Sequence, residues 1–97
     1  VKTDDERVLA ASAVFIAIGM RPYTAFLEGD LETDGGGYIV ADAMGRTTMP
    51  GVFAAGDVRT KELRQVVTAV ADGANCAQSA SEFLEAKEAI EEAPSAV

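Results

Sequence analysis

Histidine is absent from the chain and cysteine occurs once, as Cys76. Within this chain those two absences exclude a histidine-ligated metal site, a histidine general base and an internal disulfide. Positive charge is also scarce, with 8 basic residues against 16 acidic ones and a net charge of −8. Nucleic-acid binding needs clustered Lys and Arg to displace counterions, so that function is not expected. The negative charge instead favours solubility. No apolar run approaches the roughly 20 residues that cross a bilayer, and no signal peptide opens the sequence. No membrane association is expected, and a cytoplasmic setting fits. The dinucleotide fingerprint G-x-G-x-x-G is missing too, because Gly35-Gly36-Gly37 fails its spacing and reads as a turn. There is no Cys-x-x-Cys pair, no internal repeat and no low-complexity tract.

What remains is 97 residues, 48% of them apolar, which is room for one small domain with a modest core. The opening Val1-Lys2-Thr3-Asp4-Asp5-Glu6-Arg7 reads as hairpin interior without a start methionine, and Glu91 to Val97 reads as a frayed terminus. A C-terminal piece of something longer is the expectation. The segment Val1 to Leu9 is expected to form a hairpin feeding the apolar run Ala13–Ile18. That run is stopped by Gly19 and Pro22 and suits a buried strand. One helical turn is expected over Tyr23 to Glu28, a turn at Asp34–Gly37, and a short strand at Tyr38-Ile39-Val40. Val52–Ala55 reads as a second buried strand behind the breaker Pro50-Gly51. The last third is helical, from about Arg64 to about Ala86. Its expected core stripe is Val66, Val70, Gly73, Ala77, Ala80 and Leu84, with Thr68, Asp72, Asn75, Gln78, Ser79 and Glu82 facing solvent. Cys76 falls at the edge of the stripe and reads as a small core residue.

The chemistry concentrates at the end of the second strand, which delivers Gly56 and then Asp57. In open α/β sheets ligands bind in the crevice outside such strand ends. Glycine lets a ligand lie against the backbone, and an ionised carboxylate accepts hydrogen bonds from sugar or polyol hydroxyls. The pair also suits a plain strand-ending turn, and both readings stand on these two residues alone. Arg64-Gln65-Val66 then opens the long helix. The first amides of a helix lack internal partners and attract an anion or an electron-rich carbonyl. Carboxylate and helix start could grip two parts of one elongated ligand.

Gly51 to Val58, followed by Arg64-Gln65-Val66-Val67-Thr68-Ala69-Val70-Ala71-Asp72-Gly73-Ala74, closely resembles the FAD-binding signature of low-molecular-weight thioredoxin reductases. Phe15 to Pro22 is similar to the segment where their NADPH domain returns the chain to the FAD domain, and Tyr38-Ile39-Val40 fits their pattern. The Gly56-Asp57 signature is shared by many pyridine nucleotide-disulfide oxidoreductases; the Arg64-Gln65 continuation favours thioredoxin reductase. The resemblance implies an α/β fold, a partial Rossmann-like, three-layer FAD/NAD(P)-binding fold of short strands plus one long C-terminal helix. Residues 1–22 would be the tail of the NADPH-binding domain and crossover, and residues 23–97 the C-terminal part of the FAD-binding domain. Asp57 would hydrogen-bond the ribityl chain of FAD, with Gly56 near its pyrophosphate-to-ribityl portion. Gln65 and Val66 would offer backbone N–H groups to the N1/C2 carbonyl side of the flavin ring, with Arg64 nearby. Gly19 and Arg21 would lie near the crossover. In this family the missing fingerprints and the cysteine pair lie upstream. The parent would then pass electrons from NADPH through FAD to a dithiol and thioredoxin, as a homodimer, while this piece alone is inactive. Runner-up parents are the flavoprotein component of a peroxide-reducing system and the thioredoxin-reductase-like ferredoxin–NADP reductases. A reading of another class is a small acidic, non-catalytic interaction domain.

Overall fold

Alanine-rich sequence with few β-branched residues past its first turn favours helix, and α1 runs over Val66–Glu92 in the computed structural model. The structure describes residues 4–27 and 29–92. Its start is set by Thr68, whose Oγ1 accepts the Gln65 amide at 3.0 Å, so the third helical residue caps the one before the helix. Ahead of α1 the chain makes two short 3-10 turns, Ala25–Leu27 and Gly56–Val58, and isolated pairings in place of extended strands. Ile39 pairs antiparallel with Thr33 and parallel with Arg59, and Arg46 pairs antiparallel with Phe53. The turn at Asp34–Gly37 forms as expected: Asp34 Oδ1 accepts the amides of Gly36 and Tyr38 at 2.9 and 3.0 Å. The core is small, comprising Leu31, Ile39 and Ala54 with Leu27, Ala41 and Val52 packed at its margin.

The expected strands at Tyr38–Val40 and Val52–Ala55 reduce to single pairing positions at Ile39 and Phe53, and two further expectations fail, for related reasons. Ala13–Ile18 is neither strand nor buried; Phe15 and Ile18 are each 92% exposed. A strand needs neighbours for its amides and cover for its faces, and nothing among the described residues supplies them. In the expected hairpin from Val1 to Leu9, Asp4-Asp5 makes a turn, and residues 1–3 lie outside the described residues. So do Glu28, at the end of the expected helical turn, and residues 93–97 of the expected frayed terminus.

The second correction is the face of α1. Val66, Val70 and Leu84 are 82%, 68% and 56% exposed, while Asp72 and Ser79 are buried. Apolar periodicity locates the face that seeks cover, but here the polar stripe meets the body. It does so because that body presents backbone carbonyls. Ser79 Oγ donates to the Met44 carbonyl at 2.7 Å and Cys76 Sγ to the Ala54 carbonyl at 3.3 Å. Cys76 is half-buried, and burial, with the Asp72 charge behind it, pushes its thiol up, as suits a packing residue. It fits closely because Gly45, at φ +80°, has no Cβ to collide with Cys76 Sγ.

Asp72 fixes the helix to the loop before it. Its Oδ2 accepts Lys61 Nζ at 2.6 Å and the Gly56 amide at 3.0 Å, and its Oδ1 accepts Arg59 Nη1 at 3.0 Å. All three side chains of this cluster are about nine-tenths buried. The Arg59 Nη2 continues to the Ala41 and Asp42 carbonyls at 3.3 and 3.0 Å. The Lys61 hydrogen bond, then the Gly56 amide and the two cations, hold the Asp72 carboxyl below its usual range against the opposing effect of burial. A carboxylate with a depressed folded pKa contributes stability above its unfolded pKa and loses it as pH falls through the folded value.

Acid should therefore weaken the wild-type chain more than Asp72→Asn as pH drops below about 4. At neutral pH the variant should be less stable by about 3 kcal/mol, the scale for breaking a buried ion pair. Urea titrations at several pH values measure both, and parallel pH profiles for the two proteins would contradict the assignment. A second expectation follows from shape. The Cα radius of gyration is 20.6 Å, against about 13 Å for a compact chain of this size. With Val66, Val67 and Val70 exposed beside the apolar arm, the isolated chain should sediment as a dimer or larger species. A strictly monomeric profile at high concentration would oppose this.

Candidate cofactor-binding site

The segment after Ala54 turns sharply because Gly56 adopts φ +85°, a conformation L-residues rarely take. Gly56, Asp57 and Val58 make the 3-10 turn, which closes when the Arg59 amide donates to the Gly56 carbonyl at 3.4 Å. Immediately afterwards the chain is captured by the Tyr38–Val40 segment. The Ile39 amide donates to Val58 O and its carbonyl accepts the Thr60 amide, each at 2.8 Å. The turn is thus sewn to the core on its far side and to Asp72 on its near side.

Arg64 braces the outside of the same turn. Its Nε donates to the Asp57 carbonyl at 3.1 Å and its Nη2 to the Arg59 carbonyl at 3.0 Å. The guanidinium lies over the Tyr38 ring, 3.8 Å from the centroid, a stacking that desolvates one face of the cation. Arg64 does not pair with the Asp57 side chain. That carboxylate is exposed and has no hydrogen-bond or ion-pair partner among the described residues. It opens on a cleft of about 310 Å³ that is also lined by Arg21, Pro22, Tyr23, Tyr38, Val58 and Arg64.

Of the residues singled out from sequence, Gly56, Asp57 and Arg64 come together in one brace-and-turn unit. Arg21 joins them in the cleft wall, whereas Gly19 sits in the exposed arm with φ +104°. Gln65 and Val66 stand at the start of α1, but their amides differ. The Gln65 N–H is taken by Thr68 Oγ1, while no acceptor among the described residues takes those of Val66 and Val67. Sequence reasoning missed Asp72, Arg59 and Lys61. Helical periodicity places Asp72 on the solvent side. The available signal was charge arithmetic, with two cations 11 and 13 positions before one aspartate. A separate apolar groove of about 360 Å³ runs between Met49–Phe53 and Phe83 and shares no residue with the Asp57 cleft.

A family model described as pyridine nucleotide-disulphide oxidoreductase matches residues 1–73. The chain is 52% identical over 85 residues to a thioredoxin reductase of Treponema pallidum, covering 88% of this chain and 27% of that protein. It is 43% identical over 82 residues to an alkyl hydroperoxide reductase component of Pseudomonas putida, covering 84% of this chain and 16% of that one. The crystal structure of thioredoxin reductase from Streptococcus pyogenes superposes with a TM-score of 0.71 at 44% identity, over 86% of this chain and 28% of that one. The chain spans about a quarter of the length of the thioredoxin reductases it matches. The likeness makes the short pairings and the long helix part of an α/β, Rossmann-like nucleotide-binding fold. By the match to the family model over residues 1–73 and the identity to these relatives, the chain belongs to the pyridine nucleotide-disulphide oxidoreductase family.

Proposed function

We propose that this segment forms one wall of the FAD site of an NADPH-dependent flavoprotein disulfide reductase of the thioredoxin reductase type, with thioredoxin as the dithiol partner. The observation that carries the reading is the free, exposed Asp57 carboxylate on a turn braced from both sides. An acceptor held without a partner on an otherwise satisfied turn suits the hydroxyls of a polyol. The residues fit that group in two further respects. Around Gly56 a Cβ would meet only Ala69 Cβ, at 3.9 Å, which leaves the backbone approachable. The untaken Val66 and Val67 amides at the positive end of α1 suit an electron-rich carbonyl. When bound, the flavin supplies two-electron transfer between a nicotinamide and a dithiol. The chain's own part is to hold the polyol through Asp57, to offer Val66 N–H to the ring, and to keep both in place through Arg64.

A second reading, the flavoprotein component of a peroxide-reducing system, has support in the match to the Pseudomonas putida protein. Assaying the complete polypeptide for NADPH-dependent reduction of a thioredoxin disulfide, beside a peroxide-reducing partner protein, separates the two. A colourless, folded complete protein that binds no flavin would overturn both and favour a non-catalytic interaction domain.

Alone, the 97-residue chain should not retain FAD. A few hydrogen bonds worth roughly 0.5–1.5 kcal/mol each do not offset an association cost of at least about 4 kcal/mol. Flavin absorbance that stays with it through gel filtration would refute this. In the complete protein Asp57→Asn should weaken FAD binding by roughly 1.5–3 kcal/mol, the scale of a hydrogen bond to a charged group. It should leave the flavin potential nearly unchanged, since a polyol contact is the same in both redox states. Val66→Pro removes one free N–H at the first helical position, where proline is well accommodated. Fixed dipoles there favour the more negative, reduced ring, so this variant should have the more negative potential while still binding FAD. A redox titration in which Asp57→Asn moves the potential further than Val66→Pro would show the two roles to be wrongly assigned.

A further inference from the structure

We propose that Asp72 is a positioning residue for the flavin contact, setting the orientation of Asp57 through the Gly56 amide, with Arg59 and Lys61 as its anchors. The proposal rests on the reading of Asp57 as an FAD ligand. Its basis is a connection between two separate elements. Asp72 lies 16 positions from Gly56, inside α1, and its Oδ2 takes the Gly56 N–H at 3.0 Å. Glycine is the residue whose backbone is least confined by its own sterics, so a turn at φ +85° needs an outside constraint to stay in one conformation. The other restraints are the Arg59 N–H on the Gly56 carbonyl, Ile39 on Val58 and Thr60, and Arg64 on the Asp57 and Arg59 carbonyls. Among the described residues, only Asp72 holds the amide immediately before Asp57.

The carboxylate is itself immobilised. Lys61 Nζ shares Oδ2 at 2.6 Å, and Arg59 Nη1 holds Oδ1 while its Nη2 is tied to the Ala41 and Asp42 carbonyls. Asp72 therefore joins the helix, the Ala41–Asp42 backbone and the turn at one point. Among the described residues the Asp57 side chain has no partner, so the direction in which it leaves the backbone is set by the turn that Asp72 helps to fix. Removing Asp72 should disperse that orientation without touching any atom that meets the cofactor.

The test uses the complete protein and four variants: Asp72→Ala, Asp72→Asn, Lys61→Met and Ser79→Ala. Ser79 lies on the same face of α1 and ties the helix to the Met44 carbonyl, away from the turn. It serves as the control for simple loss of helix packing. Asp72→Ala is expected to raise the FAD dissociation constant at least tenfold and to speed hydrogen exchange at the Gly56 amide at least tenfold. Asp72→Asn, which keeps an acceptor for that amide, should recover part of both effects, and Lys61→Met should show a smaller loss of each. Ser79→Ala should lower the urea midpoint and leave both readouts within about twofold of wild type. The proposal is overturned if Asp72→Ala and Ser79→Ala, compared at equal loss of stability, weaken FAD equally. It is also overturned if Gly56 exchange is unchanged without Asp72. Should Asp72→Ala fail to fold, Lys61→Met and Asp72→Asn carry the same comparison against Ser79→Ala. If the wild-type protein binds no FAD, the assignment of the cofactor site fails instead. Gly56 exchange in the flavin-free variants then decides alone whether Asp72 sets the turn.

Discussion

The Asp72 carboxylate takes hydrogen bonds from a lysine, an arginine and a glycine amide, and each reaches it from the loop that precedes α1. Burying one anion is costly, and so is burying two cations. Here the cost is contained because the carboxylate serves both cations at once and Arg59 spreads its remaining donors over two carbonyls. The match is not complete, since Arg59 Nε is buried without an acceptor. A cluster of this kind tolerates little displacement, because moving any member strands a charge out of water. That intolerance is useful in a body whose apolar core amounts to Leu31, Ile39 and Ala54. Dispersion and burial in so small a core cannot by themselves dictate how a 27-residue helix sits.

The same constraint explains the orientation of α1. With Asp72 committed inward, the residues one and two turns along, Cys76 and Ser79, meet backbone carbonyls, and the valines at 66, 67 and 70 are turned outward. The exposed stripe is continuous in character with the apolar arm at Phe15, Ile16 and Ile18. Neither is covered by the described residues. An element can thus be regular and well anchored on one side while its most apolar side remains unspent.

How much of this was legible in the sequence depends on what each signal measures. Turn chemistry is local, so Asp34–Gly37 and the glycine at 56 were readable from a few residues. The helix was readable from composition, and the acidic stretch Glu85 to Glu92 reads as its solvated end, which is where α1 stops. That Gly56, Asp57 and Arg64 lie together was legible from the motif, since a short loop links the glycine turn to the helix start. That Ala13–Ile18 forms no strand was not legible, because strand formation is decided by partners that the segment does not contain. The helix face was misread for a related reason. Hydropathy periodicity ranks faces by their wish to leave water, and it is silent about three specific hydrogen bonds that fix a polar face inward.

The geometry around Asp57 also has a functional logic. Three cations of this region have partners elsewhere: Arg64 on two carbonyls and the Tyr38 ring, Lys61 on Asp72, and Arg59 on Asp72 and the Ala41 and Asp42 carbonyls. A cation paired with Asp57 would close that acceptor to a ligand. A ligand would then have to displace an ion pair before gaining a hydrogen bond. Because the cations are occupied elsewhere, Asp57 faces the cleft as an acceptor ready for use, on a turn whose conformational entropy is already spent. The charge pairing that holds the helix thus also engages two cations that do not pair with Asp57.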